Sequence, residues 1–311
     1  MARGRPKISI VGAGTVGTAA AHWIAARQLG DVVLVDIIEG LPQGKALDLR
    51  QAGPVMGFDV RITGTNDYAE TAGSDLVVVT AGVPRKPGMT REQLVETNAG
   101  IVRLVMEQVV PRSPDAVFVI VTNPLDAMTY VAYKTSGLPR ERVIGQSGAL
   151  DTARFRAFLA EELGISAQDV QAMVIGAHTD RDMVPLASSA HVRGIPVMRL
   201  LPRERLEAVV ARTRRAGAEI TELMKQSAFT APGAAVAELC EAILRDHKRL
   251  VPCSVYLEGE YGERDLCIGV PVILGARGVE RIVEVPLSDE EQQMFRASCA
   301  AVRELLRTVA A

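Results

Sequence analysis

Hydrophobic positions in the first half of the chain fall into short, nearly continuous runs that alternate with longer helix-like stretches. Runs rich in Val and Ile predict strands at residues 8–11, 32–36, 60–63, 76–80 and 117–121. The stretches between them include predicted helices at residues 16–27, 41–50, 91–110 and 125–135. Short apolar strands separated by helices are typical of a parallel sheet covered on both faces. The pattern therefore predicts an α/β, doubly wound domain over residues 1–149.

The second half has a different order of elements. Its predicted helices lie at residues 151–163, 203–225 and 234–245, and its predicted strands at 170–175, 250–257, 266–274 and 279–285. Ser288 and Glu291 have the spacing of a capping box at the start of a closing helix. Residues 150–311 are thus predicted to form an α+β domain. No low-complexity linker separates the two halves, so we expect them to pack together.

Composition and charge exclude several classes of partner. The 311 residues include 35 Lys and Arg against 37 Asp and Glu, a net charge of -2, so neither nucleic acid nor an anionic membrane is an expected partner. The four cysteines form no CxxC pair, and neither a metal site nor a disulfide framework is predicted. Apolar runs are too short for a signal peptide or for the ~20 residues of a membrane span. A cytoplasmic location is expected.

A glycine-rich turn follows the first predicted strand and opens the first predicted helix. In Gly12-Ala13-Gly14-Thr15-Val16-Gly17, the first glycine allows a tight turn, the second lets the backbone approach a pyrophosphate, and the third lets helix and strand pack closely. Asp36 ends the second strand, where an acid accepts hydrogen bonds from the adenine ribose and repels a 2′-phosphate. Similar turns occur at strand–helix junctions that bind no nucleotide. With the acid in place, we predict a Rossmann-type NAD site.

Two further strand ends are expected to line the cofactor cleft. Thr80-Ala81-Gly82 follows the fourth predicted strand, and Thr122-Asn123-Pro124 follows Val121 at the end of the fifth. Ligands of open α/β sheets bind beyond the carboxyl ends of the strands. Val121, Thr122 and Asn123 are therefore candidate cofactor residues.

Candidate acid/base chemistry comes from the second half. His178 follows the predicted strand at 170–175 and can exchange a proton near neutral pH, as an alcohol–ketone interconversion requires. Asp151 and Arg154, three positions apart at a helix start, share one helix face, so the aspartate could hold the imidazole while the arginine binds a carboxylate. The alternative is a structural histidine beside an ordinary surface ion pair.

Two arginines lie six positions apart on a loop rich in Gly and Pro. Arg85 and Arg91 each offer a planar fork of donors that fits a carboxylate, so together they suggest a substrate with two carboxylates. The alternative is a pair of solvated surface charges.

Several motifs in this order resemble the lactate/malate dehydrogenase superfamily, and more closely the malate dehydrogenases of lactate dehydrogenase-like architecture. The resemblance runs nearly end to end. Its motifs are Gly12-Ala13-Gly14-Thr15-Val16-Gly17, Asp36, Ala81-Gly82-Val83-Pro84-Arg85-Lys86-Pro87-Gly88-Met89, Thr122-Asn123-Pro124-Leu125-Asp126, Gly145-Gln146-Ser147-Gly148, Leu150-Asp151-Thr152-Ala153-Arg154 and Met183-Val184-Pro185.

The resemblance implies reversible, NAD-linked oxidation of (S)-malate to oxaloacetate, a tricarboxylic acid cycle reaction, by a homodimer or homotetramer. It implies that His178 is the acid/base and Asp151 its orienting partner, while Arg154 binds the carboxylate next to the reacting carbon. Arg91 would polarise the carbonyl, Asn123 would contact substrate and nicotinamide, and Asn98 would contact NAD. Arg85 falls where lactate dehydrogenases typically carry glutamine, and an arginine there suits a second carboxylate.

One segment departs from the family pattern. Many members read His-Gly-Asp and then a single residue before Met-Val-Pro, whereas here His178-Thr179-Asp180-Arg181-Asp182 precedes Met183. The departure leaves open which aspartate takes the usual place. Two alternative functions follow: a dehydrogenase of lactate or another 2-hydroxy acid, and a catalytically silent NAD-binding regulatory protein.

Overall fold

A parallel sheet forms the first half of the chain in the computed structural model, which describes residues 4–84 and 88–310. Its six strands are β1 (Lys7–Val11), β2 (Asp31–Val35), β3 (Ile62–Thr65), β4 (Leu76–Val79), β5 (Val117–Ile120) and β6 (Val143–Gly145). They run in the order β3-β2-β1-β4-β5-β6. The reversal of order beside β1 places the carboxyl ends of β1 and β4 at the crevice where such sheets bind ligands. The predicted α/β class is confirmed.

Four helices connect these strands: α1 (Thr15–Ala26), α2 (Leu41–Met56), α3 (Arg91–Val109) and α4 (Leu125–Ser136). All four were predicted, but α2 was predicted to end at residue 50. It continues through Pro54 to a left-handed Gly57. The prediction missed β6, because a run of three residues is too short for a periodic signal.

The second half extends the same sheet with antiparallel strands. Its helices are α5 (Gly148–Leu163), α6 (Arg203–Met224), α7 (Thr230–Leu244) and α8 (Asp289–Ala310). Its strands are β7 (Val170–Gln171), β8 (Val174–Gly176), β9 (Met183–Pro185), β10 (His191–Val192), β11 (Ile195–Pro196), β12 (Arg249–Glu258), β13 (Arg264–Gly275) and β14 (Gly278–Ile282). β12 joins β6 through the pair Ser254 and Gly145, and β13 continues to β8 and β9.

The single strand predicted at 170–175 is wrong. Val170–Gln171 belongs to a small sheet in the order β11-β10-β7, whereas Val174–Gly176 belongs to the large sheet. The two residues between them carry the chain from one sheet to the other. Apolarity alone does not reveal such a transfer, because Val170 in the small sheet is as fully buried as Val174 and Ile175 in the large one.

The larger hydrophobic core runs through both halves, from Ile8 and Val78 in the parallel sheet to Val255, Ile268 and Phe295 in the second half. The capping box predicted at α8 is present. Ser288 N–H donates to Oε2 of Glu291 (2.9 Å), and Glu291 N–H donates to the Ser288 hydroxyl (3.3 Å). The two halves are packed together as expected.

Within the described ranges 4–84 and 88–310, no helix has the length and apolarity needed to cross a membrane. In the same ranges, no group of three or more His, Cys, Asp or Glu side chains could hold a metal ion. The four cysteines are buried free thiols.

Candidate active site

Two glycines of the turn between β1 and α1 leave no room for a side chain. Gly12 has φ of +107°, and a Cβ added there would lie 2.6 Å from the Thr80 hydroxyl. A Cβ on Gly17 would lie 1.9 Å from the Gly12 carbonyl oxygen. A Cβ on Gly14 would meet nothing within 4 Å. Gly12 and Gly17 thus serve the turn itself, and the space beside Gly14 is open for a phosphate group at the helix N-terminus.

Asp36 follows β2 and is held by the same turn. Its Oδ2 accepts the Ala13 N–H (2.7 Å), and its Oδ1 accepts the Ile38 N–H (3.0 Å). The amide of Asn66 donates to the carbonyl oxygens of Asp36 (2.7 Å) and Ile38 (2.9 Å). The carboxylate is therefore held rigidly at the crevice, where it suits ribose hydroxyls and disfavours a phosphate. Sequence reasoning did not identify Asn66.

Asn98 and Thr122 connect the strand ends that line the cleft. The Asn98 amide donates to the carbonyl oxygens of Asn123 (2.6 Å) and Val83 (3.1 Å), and its Oδ1 accepts the Val83 N–H (2.8 Å). The Thr122 hydroxyl donates to the Ala81 carbonyl (2.7 Å). In this structure the Asn98 side chain ties α3 to two loops of the crevice. Its contact with NAD stays a prediction, as do those of Val121, Thr122 and Asn123.

His178, Asp151 and Arg154 come together as the sequence predicted. The Nδ1 of His178 lies 2.7 Å from Oδ2 of Asp151, and Arg154 Nη1 donates to Oδ1 of the same carboxylate (3.0 Å). The Asp151 side chain is 2% exposed and that of Arg154 is 13% exposed. An ordinary surface ion pair is thereby excluded. With Nδ1 facing Asp151, Nε2 is the imidazole nitrogen left for a substrate.

A second buried carboxylate, to which sequence reasoning gave no role, contacts the backbone of His178. Asp126, in the first turn of α4, is 4% exposed, and its Oδ2 accepts the backbone N–H of His178 (2.8 Å). Its Oδ1 accepts the Ser254 hydroxyl (2.6 Å). One signal was available, namely an acidic residue next to the apolar segment that starts α4. Only the fold shows that His178 and Ser254 are its partners.

Electrostatics at the pair favour a protonated imidazole. Burial lowers the pKa of His178, but the charge and hydrogen bond of Asp151 outweigh it, and the net pKa is raised. Burial raises the pKa of Asp126 to about 6, against the hydrogen bonds from Ser254 and the His178 backbone, which lower it. Asp151 thus supplies the charge that stabilises an imidazolium at His178.

Of the two loop arginines, the structure describes only the backbone of Arg91. Arg85 lies outside the described residues. Arg91 is the first residue of α3, and its side chain is likewise outside the description. The start of α3 is secured by a capping box, in which Thr90 accepts the Gln93 N–H (3.1 Å) and donates its own N–H to the Gln93 side chain (2.9 Å).

Three buried polar side-chain atoms have no hydrogen-bond partner among the described residues. They are Nε of Arg154, Nε2 of Gln146 and the hydroxyl of Ser147. Buried polar atoms are normally satisfied, so each of the three is left for a ligand, a water or a rearranged neighbour. The orphaned Arg154 donor fits a substrate carboxylate, and the open space at Gly14 fits the pyrophosphate of a dinucleotide.

Sequence models of one family match nearly the whole chain. Residues 6–145 match the NAD binding domain of lactate/malate dehydrogenase, and residues 148–311 match its alpha/beta C-terminal domain.

Three known proteins illustrate the similarity. The chain is 58% identical over 306 residues to malate dehydrogenase of Roseiflexus castenholzii, covering 98% of this chain and 99% of that one. The structure of malate dehydrogenase from Salinibacter ruber has a TM-score of 0.94 at 50% identity, covering 98% and 97%. A lactate dehydrogenase of Cryptosporidium parvum, solved with lactic acid and the cofactor, has a TM-score of 0.95 at 40% identity, covering 99% of each chain.

Proposed function

The chain belongs to the lactate/malate dehydrogenase family, and from that premise we propose that it is an NAD-dependent malate dehydrogenase, interconverting (S)-malate and oxaloacetate. The observation that carries the proposal is the buried contact of His178 Nδ1 with Asp151 (2.7 Å), beside an arginine with an unpaired donor. The high identity to a curated malate dehydrogenase supports the same reaction.

In the reduction direction, His178 donates a proton from Nε2 to the keto oxygen. Asp151 stabilises the imidazolium before transfer and keeps the ring oriented afterwards. Arg154, whose Nη1 is held by Asp151, binds the carboxylate next to the reacting carbon. Arg91 stabilises negative charge that develops on the keto oxygen, and Asn123 orients the substrate.

NAD is the cofactor of the matched N-terminal domain. When bound, NADH supplies the hydride that the chain itself cannot provide. The pyrophosphate would be held by the turn of Gly12, Ala13, Gly14, Thr15, Val16 and Gly17. Asp36 would bind the adenine ribose. The nicotinamide side would be contacted by Asn98, Val121, Thr122 and Asn123.

Substrate choice rests on Arg85, which would pair with the second carboxylate of oxaloacetate. Each charge-assisted hydrogen bond there contributes roughly 1.5–3 kcal/mol. Pyruvate would leave the guanidinium unpaired in a closed site. Steady-state assays of NADH oxidation with oxaloacetate and with pyruvate test the proposal. Comparable kcat/KM for the two acids would refute the dicarboxylate assignment, and no turnover of either would favour a silent regulatory protein.

A lactate or other 2-hydroxy acid dehydrogenase is the second candidate, because the fold of a lactate dehydrogenase matches with a TM-score of 0.95. Backbone similarity does not separate the two activities. We expect Arg85→Gln to lower activity on oxaloacetate and to raise it relatively on pyruvate. An unchanged ratio of the two activities would place Arg85 outside the pocket.

The remaining assignments are part of the same proposal. We propose an NAD-binding domain at residues 1–149 and a catalytic domain at 150–311, close to the boundary between the two matched family models. A homodimer or homotetramer in the cytoplasm is proposed from family resemblance. Sedimentation analysis of the purified protein would determine the assembly.

A further inference from the structure

The hairpin between β8 and β9 carries His178 and contains the departure from the family pattern. Gly176 pairs with Met183, so residues 177–182 form its loop, with His178 in second place. Six residues exceed the two to five that are usual in hairpins. The threonine in place of glycine and the extra residue both lie inside this loop, directly after the histidine.

The first part of the loop is anchored by other elements. Ala177 N–H donates to the Ser298 hydroxyl of α8 (2.7 Å), and His178 N–H donates to Asp126 of α4 (2.8 Å). Two consecutive peptide groups are therefore held from outside. Beyond His178 the chain must cross four residues before it enters β9.

The second part of the loop is closed by its own side chains. The Thr179 hydroxyl donates to Oδ2 of Asp182 (2.8 Å) and accepts the Asp182 N–H (3.0 Å). Met183 N–H donates to the Thr179 carbonyl (3.2 Å). We name Thr179 and Asp182 the loop staple. The staple joins the residue after His178 to the residue before β9.

The extra length of the loop is directed into solvent. The Arg181 side chain at the apex is 93% exposed, whereas that of Asp182 is 15% exposed. The structure thereby identifies Asp182 as the aspartate with a local role, since it closes the turn. A glycine at position 179 could make no such bond and would leave this segment freer.

We infer that the loop staple is a positioning device that holds His178 in register with Asp151 in a hairpin of unusual length. The inference rests on the proposed function for its kinetic consequences. The peptide group between His178 and Thr179 is not held by Ser298 or Asp126, so a change of backbone conformation at 179–182 tilts this group and shifts the imidazole attached beside it. Misplacement by about 1 Å can lower a rate by as much as 100-fold.

Isosteric removal of the hydroxyl is the direct test. We expect Thr179→Val to lower kcat for oxaloacetate reduction about tenfold, which corresponds to ~1.4 kcal/mol. The Kd for NADH and the KM for oxaloacetate should stay near their wild-type values, because neither Thr179 nor Asp182 is among the residues assigned to the cofactor or the substrate. Thr179→Ser restores the hydroxyl and should recover kcat. Arg181→Gln, in the same loop, is the matched control: the Arg181 side chain is 93% exposed and its Nε lies 3.9 Å from Oδ1 of Asp182, whereas Thr179 bonds Oδ2, so kcat should be unchanged.

A second readout follows the histidine itself. His178 is faced by Asp151 and Arg154 from α5 and by Asp126 from α4. In Thr179→Val we expect looser contact with Asp151, a lower His178 pKa, and loss of reduction activity at lower pH than in the wild type. NMR titration of the four histidines, with His178→Gln for assignment, measures this without turnover. Thr179→Ser should titrate like the wild type.

The extra residue provides a compensation test. Thr179→Gly alone should lower kcat, whereas Thr179→Gly combined with deletion of Arg181 restores the family loop length and should recover part of it. The inference is overturned if Thr179→Val keeps the wild-type kcat and histidine titration, or if Arg181→Gln is equally damaging. A wild-type protein inactive on every 2-keto acid would refute the proposed function, and the NMR titration would still decide the role of the staple.

Discussion

Replacement of Asp151 by asparagine isolates the charge next to the histidine. Asparagine keeps the size of the side chain and can still accept one hydrogen bond, but it removes the negative charge between His178 and Arg154. Loss of a charge-assisted hydrogen bond costs roughly 1.5–3 kcal/mol. At about 1.4 kcal/mol for each factor of ten, kcat/KM for oxaloacetate reduction should fall about 10- to 150-fold.

The pH dependence of reduction activity tests the direction in which Asp151 shifts the His178 pKa. Asp151 raises the His178 pKa, and reduction requires the protonated imidazole, so activity declines as pH rises through that pKa. In Asp151→Asn the His178 pKa is lowered, because Arg154 still repels the imidazolium while the strongest attractive charge is gone. The decline in activity should therefore begin at lower pH. The deficit should therefore be larger at pH 8 than at pH 6.

Stopped-flow measurement of NADH oxidation across this pH range is the assay. Asp48→Asn, at an exposed position of α2, is the matched control and should have no effect. NADH affinity, measured by fluorescence, should not change in either variant. Retention of half the wild-type kcat/KM, with an unshifted pH profile, would refute the assigned role of Asp151.

Three further substitutions test other parts of the site. Gly17→Ala forces a Cβ to within 1.9 Å of the Gly12 carbonyl oxygen and should lower the Tm. Gly14→Ala places its Cβ where no protein atom lies within 4 Å and should only weaken NADH binding. Equal losses of Tm in the two variants would contradict this. Asp126 has a pKa raised from 3.8 to about 6, so the folded state binds its proton more tightly and stability falls as pH rises through this window. Asp126→Asn should abolish that loss, up to ~3 kcal/mol. Chemical denaturation at pH 4 and pH 7 measures it, and a variant whose unfolding free energy falls as much as that of the wild type would contradict the prediction.

Much of the fold followed from local rules. Five parallel strands and four helices of the first half were predicted from periodicity, because burial on both faces of a parallel sheet leaves a continuous apolar run. The split of residues 170–175 between two sheets and the strand Val143–Gly145 were not predicted. Both depend on partners elsewhere in the chain, which periodicity does not report.

The candidate site shows the same division. The NAD turn, Asp36 and the pair Asp151 and Arg154 could be recognised because glycine conformation and the i,i+3 spacing on a helix are properties of short segments. The meeting of Ser254 with Asp126, 128 positions apart, could not, because it depends on the register of β12 against β6. The sequence by itself determined which chemical groups are present and which fold class carries them. Only the tertiary structure decided that Asp126 lies behind His178, and that Thr179 closes on Asp182, since distance and direction between side chains arise when strands pair and helices pack.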